Sequence, residues 1–289
     1  TANTLTATLS AGSLTLNTSS NAFTNLGAIT APGGFSLTNG DTSLTVTAAI
    51  STTDSAVAID VGTGPYTQND FDISTGSGAI TVTADAIAIV NNTGDNAFQT
   101  TGALTLKPKS AATTMSLVGA STFDLTAAEV TDLAGGVTGA GTIVIGDAAA
   151  STGALTVGGA VSFGAKTVTL NAGSFTDANT TANTLTATTL NLNASTGAIG
   201  AAAADNPLDI VVTTVKLDTT GANGAFVKET GGGFAVATST VGGTLGLLAG
   251  GTITQSGVIT ANTLTATLTA GALTLNTSSN AFTNLGAIT

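Results

Sequence analysis

TANTLTATLSAGSLTLNTSSNAFTNLGAIT, Thr1 to Thr30, returns as TANTLTATLTAGALTLNTSSNAFTNLGAIT, Thr260 to Thr289. Two positions differ, Ser10 against Thr269 and Ser13 against Ala272, and the offset is 259 residues (260 minus 1). A chain that comes back to its own opening reads as one unit of an array whose units cover one another. The expected organisation is one repeat over residues 1–259, with residues 260–289 beginning the next.

Working outward, one short word recurs: AGSLTL (Ala11 to Leu16), SGAITV (Ser77 to Val82), TGALTL (Thr101 to Leu106), TGALTV (Thr152 to Val157) and AGALTL (Ala270 to Leu275). Its aliphatic–Thr–aliphatic ending alternates with the period of a β-strand, sending both aliphatics to one face and Thr to the other. The glycine ahead of it supplies a turn. Short strands at such spacing also suit a sandwich or barrel. A closed sandwich, however, has no reason to restart its first thirty residues at its end, whereas a solenoid can continue indefinitely. TANTLTAT at Thr181 to Thr188 is a third echo of the opening. The expected fold is all-β, a parallel β-solenoid with Leu14, Leu16, Leu104, Leu106, Val168 and Leu170 facing inward. At about 20 residues per coil and ~4.8 Å between strands, one period holds on the order of 13 coils over ~60 Å.

Composition agrees. Charged residues are 7% of the chain, against roughly a quarter in an ordinary domain. Thr, Ser, Gly and small aliphatics dominate, a mixture that suits pleated surface better than helix. The net charge is −11, with 16 acidic residues, five lysines and no arginine, which argues against nucleic acid as a partner. Mean hydropathy is +0.44, but Thr, Gly and Asn interrupt the apolar residues too often for a membrane helix, so no membrane insertion is expected. The chain lacks an initiator Met and a signal peptide, as expected if the natural start lies upstream.

One segment departs from the strand pattern. In LTAAEVTDLAGG, from Leu125, Thr126 stands three residues before Glu129 in a capping-box arrangement, Val130 and Leu133 share a helical face, and Gly135 is a natural stop. A short helix near residues 126–134 is expected, as a decorated connection.

The segments Gly250 to Thr289, Gly33 to Thr52 and Leu125 to Phe163 resemble the repeats of filamentous-haemagglutinin-type bacterial surface proteins. The likeness lies in the style of repeat and covers most of the chain. It implies a right-handed parallel β-helix, exported from a Gram-negative bacterium and displayed at the cell surface as a fibre, stalk or adhesive matrix. Expected partners are adjoining repeats of the same chain, neighbouring copies, and host or cell-surface glycans.

Catalytic chemistry finds few footholds. Without His, Arg or Cys there can be no Ser-His-Asp triad, histidine metal site or thiolate nucleophile. The lysines, Lys107, Lys109, Lys166, Lys216 and Lys228, show no carboxylate-rich neighbourhood in sequence, so no enzyme activity and no cofactor are expected. Asp70 and Asp72 in NDFD are candidates for calcium, sharing a strand face at i, i+2, although calcium wants six or more oxygens. Asp205 and Asp209 flank Asn-Pro-Leu in an expected turn. Asn17, Asn21, Asn25, Asn191 and Asn193 follow strands, where Asn suits turns or stacked ladders. Thr-x-Thr runs such as Thr4 to Thr8 and Thr263 to Thr267 raise ice binding, which would need a regular file of Thr on successive coils. A polysaccharide-acting β-helix and a self-assembling filament or sheath subunit complete the alternatives to a structural surface repeat.

Overall fold

The computed structural model describes residues 3–90, 96–178, 183–202 and 206–289. Two compact units form, Thr1–Thr113 with Ala120–Asp147, and Thr114–Gly119 with Ala148–Thr289. Each is a parallel β-solenoid, and together they hold about 12 turns. This division differs from the sequence repeat, since residues 260–289 belong to the second unit.

In the first unit each circuit lays down three strands. Phe35–Thr38, Leu44–Val46 and Ile50–Ser51 form one circuit; Val57–Asp60, Pro65–Gln68 and Ile73–Ser74 form the next; Ile80–Thr83, Ala86–Ile89 and Phe98–Gln99 form a third. Every strand pairs in parallel with its counterpart one circuit away. Period-two alternation then acts across coils. Phe35, Val57, Ile80, Leu104 and Ile143 make one inward file, and Leu37, Ile59, Val82, Leu106 and Ile145 make a second; all ten are at most 2% exposed. Each such side chain contributes roughly 1.5–3 kcal/mol when fully removed from water. Leu14 and Leu16 point into the same files but are only half-buried, because their strand pairs on one side alone, with Phe35–Leu37.

The interior also holds a polar pair. Tyr66 and Gln68 are fully buried, the Tyr66 hydroxyl donates to Gln68 Oε1, and Gln68 Nε2 donates to the Phe71 carbonyl. Among mostly aliphatic neighbours this chain of bonds satisfies every group that burial would otherwise leave costly.

The helix spans Ala127–Gly136, with Thr126 as N-cap and a complete capping box to Glu129. Val130 and Leu133 are fully buried. The helix does more than connect. Glu129 Oε1 accepts from Ile89 N at 2.7 Å, Asp132 Oδ2 accepts from Ala97 N at 3.1 Å, and the Gly136 carbonyl accepts from Thr100 N at 3.1 Å. Asp132 and the helix's last carbonyl thus take up the N–H groups on either side of Phe98–Gln99, a place where another strand would otherwise lie, while Glu129 takes up the last N–H of the strand Ala86–Ile89. The main sheet tolerates the insertion, with Leu104 still pairing with Ile143.

In the second unit, strands lengthen. Leu185–Ala194, Leu208–Thr219, Ser239–Ala249 and Ile259–Leu268 run 10, 12, 11 and 10 residues. Val168 and Leu170 are fully buried and in register with Leu190 and Leu192, then with Val215 and Leu217. In the echo at Thr181 to Thr188, residues 181 and 182 lie outside the described residues, and Leu185 onward enters the first of these long strands.

Leu106→Ala should cost about 2–5 kcal/mol of stability by leaving a cavity in a closed file, and Leu16→Ala clearly less. Chemical denaturation of the two variants checks the order; equal losses would contradict the covered and uncovered positions of the two side chains. Glu129→Ala removes half of the capping box and the acceptor for Ile89 N, and should lower stability by about 1–2 kcal/mol in the same assay.

Candidate functional site: the corners and the exposed end coil

The charged groups are spent on corners and on neighbouring strands. Asp41 Oδ1 accepts from Thr63 N at 2.7 Å, and Asp54 Oδ1 accepts from Ser77 N at 2.8 Å, each reaching one coil onward. Both bonds require a glycine opposite. Gly62 and Gly76 have φ of +67° and +60°, and a Cβ there would meet the Asp41 and Asp54 Oδ1 atoms at 2.1 and 2.4 Å. The Thr63 backbone bond holds the Asp41 carboxyl below its usual value. In each corner the Asp precedes the Gly by about one coil, 21 residues (62 minus 41) and 22 residues (76 minus 54), a spacing that strand words alone do not pick up.

Asp70 and Asp72 lie in the turn before Ile73–Ser74 rather than on a strand, and Asp72 Oδ2 accepts from Gln99 Nε2 at 2.7 Å. The expected shared strand face is therefore replaced by a corner in which Asp72 ties two coils. Among the described residues, no three His, Cys, Asp or Glu side chains gather as a metal site. Asp209 lies within the strand Leu208–Thr219, not in a turn, while Asp205 lies outside the described residues.

Folding brings lysines to carboxylates that sequence keeps apart. Lys107 pairs with Asp147 at 2.8 Å, Lys109 with Asp60 at 2.7 Å, and Lys228 with Asp209 at 3.2 Å; Lys216 pairs with Asp218 two residues away. The pairs of Lys107, Lys109 and Lys216 are partly exposed and contribute little to stability, whereas Lys228 reaches the buried Asp209; each engages a lysine that a catalytic base would need free. Asn191 and Asn193 sit inside a strand, where Asn193 Nδ2 donates to Asn171 Oδ1 at 2.8 Å and Asn191 Nδ2 to Thr169 Oγ1 at 3.1 Å. They form ladder rungs rather than turns; Asn25 also lies in a strand, Asn25–Thr30, but its Nδ2 donates to the adjacent Thr24 Oγ1 at 3.2 Å. Asn21 does close a turn, donating from Nδ2 to the Leu16 and Thr38 carbonyls, both at 3.0 Å.

Outward positions carry mixed files. Thr15, Ser36, Ala58, Thr81, Thr105 and Val144 stack in register on the first unit's main sheet. An unbroken plane of Thr is not what these coils present.

Open grooves interrupt the surface of the described residues, among them these two. One, of about 370 Å³, is lined by Ser74, Asn96, Gln99, Thr100 and Thr101 with the C-terminal glycines of the helix; the other, of about 330 Å³, runs past Thr186, Thr188, Thr213 and Glu229. Glu229 is the one ionisable group among these lining residues. Burial pushes its carboxyl above the usual 4.5, opposed by backbone bonds from Val212 N at 2.9 Å and Gly231 N at 2.6 Å. With both oxygens already accepting from the backbone, the carboxylate serves the corner and is poorly placed to act on a bound molecule.

The strongest unpartnered feature is apolar. Leu285 and Ile288, on the strand Ala281–Ile288, are 71% and 45% exposed, whereas their counterparts in the first copy, Leu26 and Ile29, are fully buried. Among the described residues no helix is long and apolar enough to cross a membrane. No protein-family model, curated protein or solved structure matches the chain.

Glu229 gives a pH signature of known sign. A carboxyl raised in the folded state contributes stability that is complete below its unfolded value and is lost as pH rises through its folded value. Asp41, lowered in the folded state, does the reverse and is lost as pH falls below 3.8 through its folded value. The midpoint of thermal unfolding should therefore decline as pH climbs from about 4.5, and Glu229→Gln should flatten that decline. Identical pH profiles for the two proteins would refute the assignment to Glu229.

Proposed function

We propose that this chain is a structural unit of a long repetitive β-solenoid of the filamentous-haemagglutinin type, whose work is to supply length and surface to an extracellular fibre, stalk or adhesive matrix. The observation that carries this reading is the thirty-residue segment at both ends folding each time into a solenoid coil. Leu5 pairs with Leu26 and Ala7 with Ile29 in the first copy; Leu264 pairs with Leu285 and Ala266 with Ile288 in the second, with a register shift at the same place. A repeat that folds alike at both ends is suited to continuation. The paired lysines and the fully engaged Glu229 support a non-catalytic role, with glycans as partners of the outer surface. A cell-surface location in a Gram-negative bacterium belongs to the same reading.

The apolar end coil also favours a second reading, a filament or sheath built from many separate copies. Cryo-electron microscopy of the native material, paired with its mass under denaturing conditions, decides between them. A thin fibre with ~4.8 Å coil spacing and an axial period near 60 Å is expected, carried by a chain several times the 27.5 kDa of this segment. A fibre that dissolves into short chains would favour the polymer, and compact particles would overturn both.

A further inference from the structure

Each copy of the thirty-residue segment shows the half of a junction that the other lacks. Inside the segment the two share their pairing register and several bonds. Leu9 N donates to the Thr30 carbonyl at 2.9 Å and Leu268 N to the Thr289 carbonyl at 2.8 Å. Asn21 Nδ2 reaches the Leu16 carbonyl at 3.0 Å and Asn280 Nδ2 the Leu275 carbonyl at 3.3 Å. A Cβ at Gly27 would meet Thr6 Cγ2 at 2.6 Å, and one at Gly286 would meet Thr265 Cγ2 at 2.7 Å.

Outside the segment they are complementary. The second copy is covered from the upstream side: Leu264 and Ala266 lie in register with Leu245 and Leu247 and are buried, whereas Leu5 and Ala7 are only half-buried. The first copy is covered from the downstream side: Leu26 pairs with Val46 and Ile29 with Ile50, and the Ile29 N–H donates to the Ala49 carbonyl at 3.1 Å. The exposed residues of one copy are the buried residues of the other. The open face is therefore an interior position seen without its neighbour, and the first copy supplies that neighbour's sequence and register.

We propose that the end coil Ala281–Ile288 is the docking surface for the Ala31–Ser51 segment of a following repeat, continuing the chain beyond Thr289, with Leu285 against the counterpart of Val46 and Ile288 against the counterpart of Ile50. This rests on the array reading and adds to it the identity and register of the occupant. The Ile288 N–H then takes the role of the Ile29 N–H, which donates to the Ala49 carbonyl in the first copy.

The test compares amide hydrogen exchange in the 289-residue chain with that in the same chain extended after Thr289 by a second copy of residues 31–74. Exchange over Ala281–Ile288, and at Ile288 above all, should slow by about tenfold or more on extension. Replacing the appended copies of Val46 and Ile50 by Asp should abolish the effect. Leu285→Asp should leave the unextended chain's thermal midpoint nearly unchanged, yet remove the protection in the extended one. Exchange at Leu104 and Leu106 monitors the folding of the rest of the chain throughout. Unchanged exchange on extension, or equal slowing by the Asp-bearing extension, overturns the proposal. So does end-to-end association of unextended chains that protects the same amides equally well, which would make a separate copy the occupant. Fibres in the native material would leave the array reading standing in any of these cases.

Discussion

Parallel backbone hydrogen bonding from coil to coil is the constraint on which the rest of the structure depends. It lets each aliphatic stack on the aliphatic one circuit earlier, and a slip by one residue would turn a whole strand inside out. Strand positions are therefore fixed, while corners absorb differences in circuit length. Val57, Ile80 and Leu104 succeed one another at offsets of 23 and 24 residues (80 minus 57 and 104 minus 80), and Leu104 to Ile143 takes 39 (143 minus 104) without losing its pairing. Length that would ruin a sandwich core is accommodated at a solenoid corner, because the strand on either side finds the same partner again.

The same constraint explains where the polar groups are. Asp41 and Asp54 close the corner of the following coil rather than their own, so a turn in one circuit depends on a side chain from another. Asn193 on Asn171 repeats the theme within a strand. The helix answers a different need. Where Phe98–Gln99 would present an edge, Asp132 and the Gly136 carbonyl supply acceptors that a strand would have supplied from its backbone, and Glu129 does so for the last N–H of Ala86–Ile89. The pair of Tyr66 and Gln68 places polarity in the interior, with each partner satisfied along one short chain of bonds.

Much of the architecture was legible because its signals are local or repeated. The strand words at Ser77 to Val82 and Thr101 to Leu106 do stack directly, Ile80 on Leu104 and Val82 on Leu106. The capping box at Thr126 and Glu129 marks the helix start from four residues alone. What escaped the sequence depends on distant parts of the chain. Leu155–Val157 carries the same word as Leu104–Leu106 but joins another sheet, beside Met115–Leu117 and Phe175–Asp177, since the word encodes a face and not an address. The ion pairs of Lys107 and Lys109 with Asp147 and Asp60 span 40 and 49 residues, and no local pattern announces them. Asp70 and Asp72 read as a strand pair only because the corner before Ile73 has no glycine to mark it.

The equal geometry of the two thirty-residue coils has a consequence for the gene as well as for the protein. Both copies keep the same register shift and share several internal bonds despite their two differing residues. In the proposed array, a crossover between misaligned repeats of the gene, anywhere within that stretch, would join one unit to another in the correct coil phase. Whole units could then be gained or lost without a faulty seam, and the length of the array would be open to rapid change by recombination while its cross-section stayed the same.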